Sequence, residues 1–420
     1  MQALSTLRTL QEERWTRLLS EGLSPFLKQK WAEQGVVWES VRSLHDLPRL
    51  PLITKEALMQ DQLAASPYGT NLAKPVSSYV RLHQTSGTTT GQPLRWLDTP
   101  TSWDWILRCW QSIYDIVGIT ANDRFFFPFS FGPFLGFWAA FEGAARRGCL
   151  VLPGGGASTI ARLKFLQDNQ GTILCSTPTY ALRMLDVAHE EGIRLNHSSV
   201  RMLILAGEPG ANIPATRKKI EQGWGARVID HWGMTEIGPL GIECHEQPGG
   251  FHLLEEECIA EVLHPETLQP VTPGEEGELV ITTLGRVHSP VVRFRTGDRV
   301  RLDPNPCPCG RPWKRCIAGV LGRTDDMINI KGNNFYPSMI EEIVRGFSEI
   351  DEFQAVFDNR RPGVMVLRLE LRHDVAGKTI KEEVIERFRN VYQFKPEIEL
   401  VSPGTLPRSE MKSRRVLVIK

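Results

Sequence analysis

The chain has 420 residues, with 49 Lys and Arg balancing 49 Asp and Glu, 41% hydrophobic residues and 23% charged ones. That length exceeds one compact core and predicts two or three domains, and the apolar content excludes a disordered chain. The charge balance, with no block of like charge, provides no electrostatic pull toward nucleic acid or an acidic membrane surface.

The first residues, MQALSTLRTLQEERWTRLL, read as a charged amphipathic helix without the apolar core of a signal peptide. Eight cysteines in so long a chain do not make a disulfide framework, so a cytoplasmic protein is expected. Up to about residue 60 the apolar spacing is helical. Predicted strands at 79–82, 124–128, 149–152, 173–175, 202–206 and 227–230 then alternate with predicted helices at 102–116, 160–169, 178–191 and 214–222. Such alternation implies a largely parallel sheet covered by helices. The 17-residue run from Phe125 to Phe141 carries no charge, but Pro128, Gly132, Pro133 and Gly136 interrupt it. It is also shorter than the ~20 residues a membrane span needs. It reads as a buried strand, a loop and a helix start, and no membrane partner is expected.

After Gly238 the runs become short and turn-punctuated to about residue 302, as in PGEEGELVITTL, which predicts an antiparallel β section. The last hundred residues read as strand, helix (339–346), two strands, helix (378–390) and strand, the order of a small split-βαβ domain. The fold class is therefore α/β. A large N-terminal domain of helix-covered, mainly parallel sheet with an antiparallel section spans 1–321, a hinge 322–326, and a small mobile C-terminal α+β domain 327–420.

Four segments carry chemistry. The loop Thr85-Ser86-Gly87-Thr88-Thr89-Thr90-Gly91-Gln92-Pro93 follows a predicted strand. Small residues there let backbone N–H groups and hydroxyls converge on phosphate oxygens, although the same composition also suits a plain surface loop. It lacks the Gly-Lys-Ser/Thr ending of a Walker loop. Asp230-His231-Trp232-Gly233-Met234-Thr235-Glu236 ends another predicted strand, and the carboxyl ends of parallel strands are where such sheets bind ligands. There Glu236 could ligate Mg²⁺ and Trp232 could stack on a base. Ala206-Gly207-Glu208-Pro209-Gly210 and Arg293-Phe294-Arg295-Thr296-Gly297-Asp298 complete the set.

In this order, and with GRTDDMINIKGNNFYPSMIEE and a terminal RSEMKSRR behind them, these segments resemble the adenylate-forming enzyme superfamily. The Asn-Phe-Tyr-Pro-Ser run looks most like its phenylacetate–CoA ligase branch. The resemblance spans roughly residues 50–420. It implies ATP-dependent activation of a carboxylic acid, aryl or arylacetic, and transfer of the acyl group to the thiol of CoA, with release of AMP and pyrophosphate. Ser86, Gly87, Thr88 and Thr89, in a loop that also holds Thr90 and Gly91, would hold the ATP phosphates. Gly207, Glu208 and Pro209 would line the adenine site, with Trp232, followed by Gly233, where the family usually has Tyr. Thr235 and Glu236 would meet the α-phosphate and Mg²⁺, and Asp298, with Arg323 nearby, the ribose. Asp325 matches the hinge position and Lys412 the catalytic lysine. The chain departs from the pattern in three places: an extra threonine in the phosphate loop, Gln92-Pro93-Leu94 where its lysine should stand, and Met411 in place of the glycine before Lys412.

This chemistry needs charge neutralisation and alignment rather than an enzyme nucleophile. Cys149 and Cys175 accordingly read as small buried residues. Cys307-Pro308-Cys309 is a tight pair preceded by Cys244 and His252; scattered free thiols and a zinc site are both open readings of the spacing. The resemblance adds weight to zinc, since some relatives carry Cys-His and Cys-x-Cys ligands in this region. Phe129, Phe131, Phe134 and Trp138 lie in the segment that would line the acyl pocket; core packing is the other reading of aromatics in an apolar run, and so many rings favour a flat aromatic acid over a long fatty acid. His83 and His231 read as scaffold residues. The rival functions are an enzyme that loads a carrier-protein phosphopantetheine arm and an inactive nucleotide-binding scaffold. A homodimer is the one assembly carried as an expectation.

Overall fold

The computed structural model describes residues 2–85, 92–330, 333–361, 363–372, 377–408 and 415–419. Its centre is an eight-stranded mixed sheet. Arg124–Phe127, Leu150–Pro153, Ile173–Ser176, Met202–Leu205 and Arg227–Met234 run parallel; Gly238–Glu243, Gly250–Leu253 and Arg315–Ile317 extend it antiparallel. Ile173–Ser176 and Met202–Leu205 are buried at every residue, as strands covered on both faces must be.

Period-two alternation splits the apolar side chains between two cores. Phe125, Phe127, Ile204 and Ile229 join the core under the helices Pro100–Val117 and Leu135–Arg146. Phe126, Leu174, Leu203 and Val228 join the core under Thr159–Asp168, Pro178–Glu190 and Pro214–Trp224. Each large apolar side chain so buried contributes roughly 1.5–3 kcal/mol. Three of these five helices start at side-chain caps, Thr99, Ser158 and Thr177. Thr99 and Thr177 each accept a backbone N–H of the first turn, and a proline opens the helix behind each of them. Gly118, at φ +72°, ends the first of these helices in the left-handed region.

The antiparallel section divides between two sheets, which its even turn spacing did not foretell. Gly238–Glu243 and Gly250–Leu253 join the central sheet, whereas Cys258–Leu263, Glu276–Thr283, Phe294–Arg301 and Gly322–Arg323 form a separate four-stranded one. The first sixty residues are helical. The third of their α-helices, Lys55–Ala64, is tied to that smaller sheet by Ile53, whose N–H donates to Arg293 and whose carbonyl accepts from Arg295.

A third core is separate from these two. Ile330, Phe335, Ile340, Phe353, Leu367, Val384 and Phe388 gather between the helices Pro337–Arg345 and Gly377–Tyr392 and a four-stranded sheet. One strand of that sheet, Val416–Ile419, pairs parallel to Ile350–Asp358 and goes beyond the expected strand order. Among the described residues, no helix is long and apolar enough to cross a membrane. The run Phe125–Phe141 is the expected strand, loop and helix start.

Candidate active site

Two of the segments singled out in the sequence, 206–210 and 230–236, lie at the carboxyl ends of neighbouring strands, and Asp298 of a third reaches the second of them. Trp232 sits near the end of Arg227–Met234, opposite Gly241, and its ring lies parallel to Phe251 with centroids 5.6 Å apart. A Cβ on Gly241 would fall 2.9 Å from the Cβ of Trp232 and 3.0 Å from Phe251, so only glycine leaves room for this stack. The indole N–H of Trp232 donates to Oδ2 of Asp298 at 2.7 Å.

Asp298 comes from the smaller sheet, where the register places Arg323 directly opposite. Arg323 Nη1 donates to Asp298 Oδ1 at 3.1 Å. Its other two nitrogens grip Asp325, Nε at 2.8 Å and Nη2 at 3.1 Å. One guanidinium thus joins the ribose candidate to the hinge candidate. Burial pushes the Asp298 carboxyl up, against the opposing pull of Arg323 and Trp232.

Gly233 lies where a Cβ would meet the Gly238 carbonyl oxygen at 2.8 Å. That close turn presents Thr235 and Glu236. Glu236 is buried, and its Oε1 has no aligned hydrogen-bond donor, only Lys55 Nζ as an ion pair at 3.0 Å. A buried carboxylate oxygen that lacks an aligned hydrogen-bond donor is of the ligand type a divalent cation takes. Arg286, fully buried, donates Nη1 to the Thr235 carbonyl and clasps Asp98, also fully buried, with Nε and Nη2. Sequence reasoning missed Lys55, Asp98 and Arg286. A lysine beginning a capped helix (Thr54-Lys55) and a lone arginine in the apolar β run TTLGRVHSPVV were the available signals.

In the adenine segment, Gly207 and Gly210 take φ of +91° and +151°, and Glu208 accepts the backbone N–H of Thr179 at 2.9 Å. Pro209 lies between them. Ser86, Gly87, Thr88, Thr89, Thr90, Gly91 and Lys412 lie outside the described residues. At the loop's edge, Thr85 and Leu94 close it with reciprocal bonds: each backbone N–H finds an oxygen of the other residue at 3.0 Å.

The aromatic segment forms a self-packed wall. Phe129 is buried and stacks on Phe137 at 3.8 Å, Phe131 meets Trp138 at 4.8 Å, and Phe134 meets Phe137 edge-on at 6.1 Å. Phe131, Phe134 and Trp138 are half-buried. His83 and His231 are held neutral by burial, each pushed down to about 4, and His231 Nδ1 bonds the Gly241 carbonyl. Burial pushes the thiols of Cys149 and Cys175 up to about 11 and about 12, which makes them poor nucleophiles at neutral pH.

Cys244, His252, Cys307 and Cys309 come together with all ligand atoms within 4.8 Å of one another. Cys244 Sγ lies 3.5 Å from Cys307 Sγ, and Cys309 Sγ lies 3.4 Å from His252 Nε2. A tetrahedron with Zn–S of about 2.3 Å has edges of about 3.7 Å. His252 Nδ1 bonds the Lys314 carbonyl at 3.3 Å, which leaves Nε2 as the nitrogen available to a metal.

A buried aspartate fixed by tryptophan and arginine, with a buried glutamate at the end of the neighbouring strand, suits a nucleotide-using enzyme. Comparison with known proteins agrees. Residues 81–286 match the AMP-binding enzyme family and residues 332–418 its C-terminal domain. Phenylacetate-coenzyme A ligase of Thermus thermophilus is 30% identical over 99% of this chain and 97% of its own. The crystal structure of 2-hydroxyisobutyryl-CoA ligase in the postadenylation state, with 2-HIB-AMP, superposes with a TM-score of 0.91 at 28% identity, covering 98% of this chain and 88% of that one. The same ligase with 2-HIB-AMP and CoA in the thioesterification state scores 0.72 at 29% identity, covering 100% and 90%. The chain belongs to the adenylate-forming AMP-binding enzyme family, in its phenylacetate–CoA ligase branch. The whole-chain superposition scores higher on the postadenylation structure of that neighbour than on the thioesterification one.

Proposed function

We propose that this chain, an AMP-forming acid–CoA ligase, takes a compact aryl or arylacetic acid. A carboxylate oxygen of the acid attacks the α-phosphorus of ATP, the bond to the β-phosphate oxygen breaks, and pyrophosphate leaves. The CoA thiol then attacks the acyl carbon, its proton is lost, and AMP departs from the mixed anhydride.

Asp298, ionised, accepts the ribose hydroxyls, and Trp232 and Arg323 hold it in place. The Trp232–Asp298–Arg323 arrangement is the observation that carries this reading, because a buried carboxylate with two fixed donors is preorganised for a diol rather than for folding alone. Thr235 bonds the α-phosphate, and Glu236 holds Mg²⁺, which neutralises phosphate charge when bound. Gly207, Glu208 and Pro209 line the adenine, the 86–91 loop wraps the phosphates, and Lys412 bridges the carboxylate and α-phosphate oxygens during adenylation. The wall of Phe129, Phe131, Phe134 and Trp138 offers ring faces to a flat acid.

Cys244, His252, Cys307 and Cys309 hold a structural zinc ion. Bound there, it would tie Cys307 and Cys309 of the loop after Arg301 to the strand Gly250–Leu253 and to the end of Gly238–Glu243. The fit of the donor set and the second bond of His252 support it.

The test of the acid is a panel of carboxylic acids in ATP–pyrophosphate exchange. Phenylacetate and benzoate are expected to outpace aliphatic acids of equal length. Preference for a branched or long aliphatic acid would overturn the aromatic assignment and leave the ligase reading in place.

A further inference from the structure

We infer that Arg415, with Glu341 and Glu342, is an interdomain clasp that selects the adenylation arrangement, so that Arg415 is a positioning residue for the first half-reaction and not for the second. The inference rests on the two-step reading above.

Arg415 immediately precedes the last strand, Val416–Ile419, and follows Lys412 by three residues in the chain. Its backbone carbonyl accepts from Ala355 at 2.7 Å, which fixes this end of the chain to the small domain's sheet. Its side chain is nine-tenths buried. Nε and Nη2 make a bidentate pair with Glu352 at 2.8 and 3.1 Å. Glu352 is held in turn by Arg345 Nη2 at 2.9 Å and by the Phe353 N–H at 3.0 Å. The guanidinium is thereby locked, and it reaches across the domain boundary with its remaining nitrogen: Nη1 donates to Thr179 Oγ1 at 3.3 Å. Thr179 is the residue whose backbone N–H binds Glu208 of the adenine segment. A link of two residues thus runs from the adenine segment to the strand that ends the Lys412 segment.

The same guanidinium lies 4.0 Å from Glu341, which makes the second crossing. The helix Pro214–Trp224 begins at Ile213, whose side chain caps nothing. Its first turn is capped by the other domain instead. The Ala215 N–H donates to Glu342 Oε2 and the Thr216 hydroxyl to Glu341 Oε1, each at 3.0 Å. Carboxylates at a helix N-terminus satisfy orphan N–H groups and favour the helix dipole. This helix follows the adenine segment directly, so both crossings grip helices that flank the nucleotide loop.

The chemistry of the crossings suits release. Guanidinium, carboxylate and hydroxyl groups are all taken up by water when the domains part, whereas a greasy seam would resist parting. Arg415 is a fixed, planar, permanently charged fork, and lysine cannot bond Glu352 at two points while reaching Thr179. A clasp that forms in one arrangement only stabilises that arrangement by its full differential contact, and any loss is felt only in the step that needs it.

The experiment measures the two half-reactions separately in Arg415→Lys, Arg415→Gln and the double variant Glu341→Gln/Glu342→Gln. Phenylacetate-dependent ATP–pyrophosphate exchange reads the first step, and thioester formation from supplied phenylacetyl-AMP and CoA reads the second. Arg415→Gln is expected to lower exchange kcat by about 10²-fold, as misplacement of a reacting group does, with ATP KM little changed. Thioester formation should stay within about threefold of wild type, and the double glutamine variant should show the same split more weakly. Equal loss of both steps, or unimpaired exchange, overturns the clasp. Small-angle scattering of the nucleotide-free full chain supplies a readout without activity. Wild type should fit the present domain arrangement and Arg415→Gln should depart from it; identical curves would contradict the inference. If wild type supports no exchange with any acid, the acid-ligase reading fails, and scattering alone decides the clasp.

Discussion

Trp232 and Asp298 stand on different sheets, and a single indole N–H at 2.7 Å from Oδ2 joins them. The ring's other duty, packing on Phe251, needs no N–H. Trp232→Phe therefore keeps the ring and removes the donor. A hydrogen bond to a buried charge contributes about 1.5–3 kcal/mol, so ATP KM should rise by about tenfold or more while the fold persists. The pH dependence follows from the direction of the shift. Burial already raises the Asp298 carboxyl, and only its ionised form accepts both ribose hydroxyls. Nucleotide affinity should fall with acid at a higher pH than for an ordinary aspartate, and at a higher pH still in Trp232→Phe. An unchanged acid limb in the variant would separate Trp232 from Asp298.

Arg286 and Asp98 are both wholly buried, and Arg286 also holds the Thr235 carbonyl. Arg286→Met leaves an unpaired buried carboxylate and should cost about 3–5 kcal/mol, whereas Asp98→Leu/Arg286→Met should regain most of that stability. Regained stability without regained exchange activity would show that the pair also sets Thr235. Urea unfolding and exchange rates measured on the same samples check both parts.

Purified protein should carry about one zinc per chain, and chelation should lower its melting temperature, because metal binding and folding of the 302–315 loop are coupled. Cys307→Ala should lose the metal. Folded, active wild-type protein with far less than one zinc per chain would leave Cys244, His252, Cys307 and Cys309 as four free side chains.

Lys412 and Asp325 should give opposite phenotypes. Lys412→Ala removes a preorganised charge from adenylation and should slow exchange by about 10²–10³-fold while sparing thioester formation from supplied adenylate. Asp325→Pro fixes φ near −65° at the proposed hinge, so it should spare exchange and lose the thioester step. Rapid-quench assays of both steps decide. Equal effects on both steps would make Asp325 an ordinary turn residue, tied to Arg323 for stability alone.

The sequence reading succeeds where signals are local. Strands such as Met202–Leu205 and helices such as Pro178–Glu190 lie within a residue or two of the expected spans, because buried runs, caps and prolines mark them. Cys244, His252, Cys307 and Cys309 were legible as a candidate ligand set, and the fold supplies the convergence that spacing could not. Lys55 beside Glu236, Arg286 on the Thr235 carbonyl and Arg415 on Thr179 were not legible. Each depends on how two sheets or two domains meet, which no periodicity encodes. The strand Val416–Ile419 was missed because four apolar residues after a basic run carry no turn signal.

The most direct test of the two-step account is isotope exchange between pyrophosphate and ATP with phenylacetate present and CoA absent. Exchange should require the acid and not CoA. Adding CoA should then release AMP and thioester in equal amounts. Exchange that ignores the acid, or cleavage to ADP and phosphate, would contradict the account.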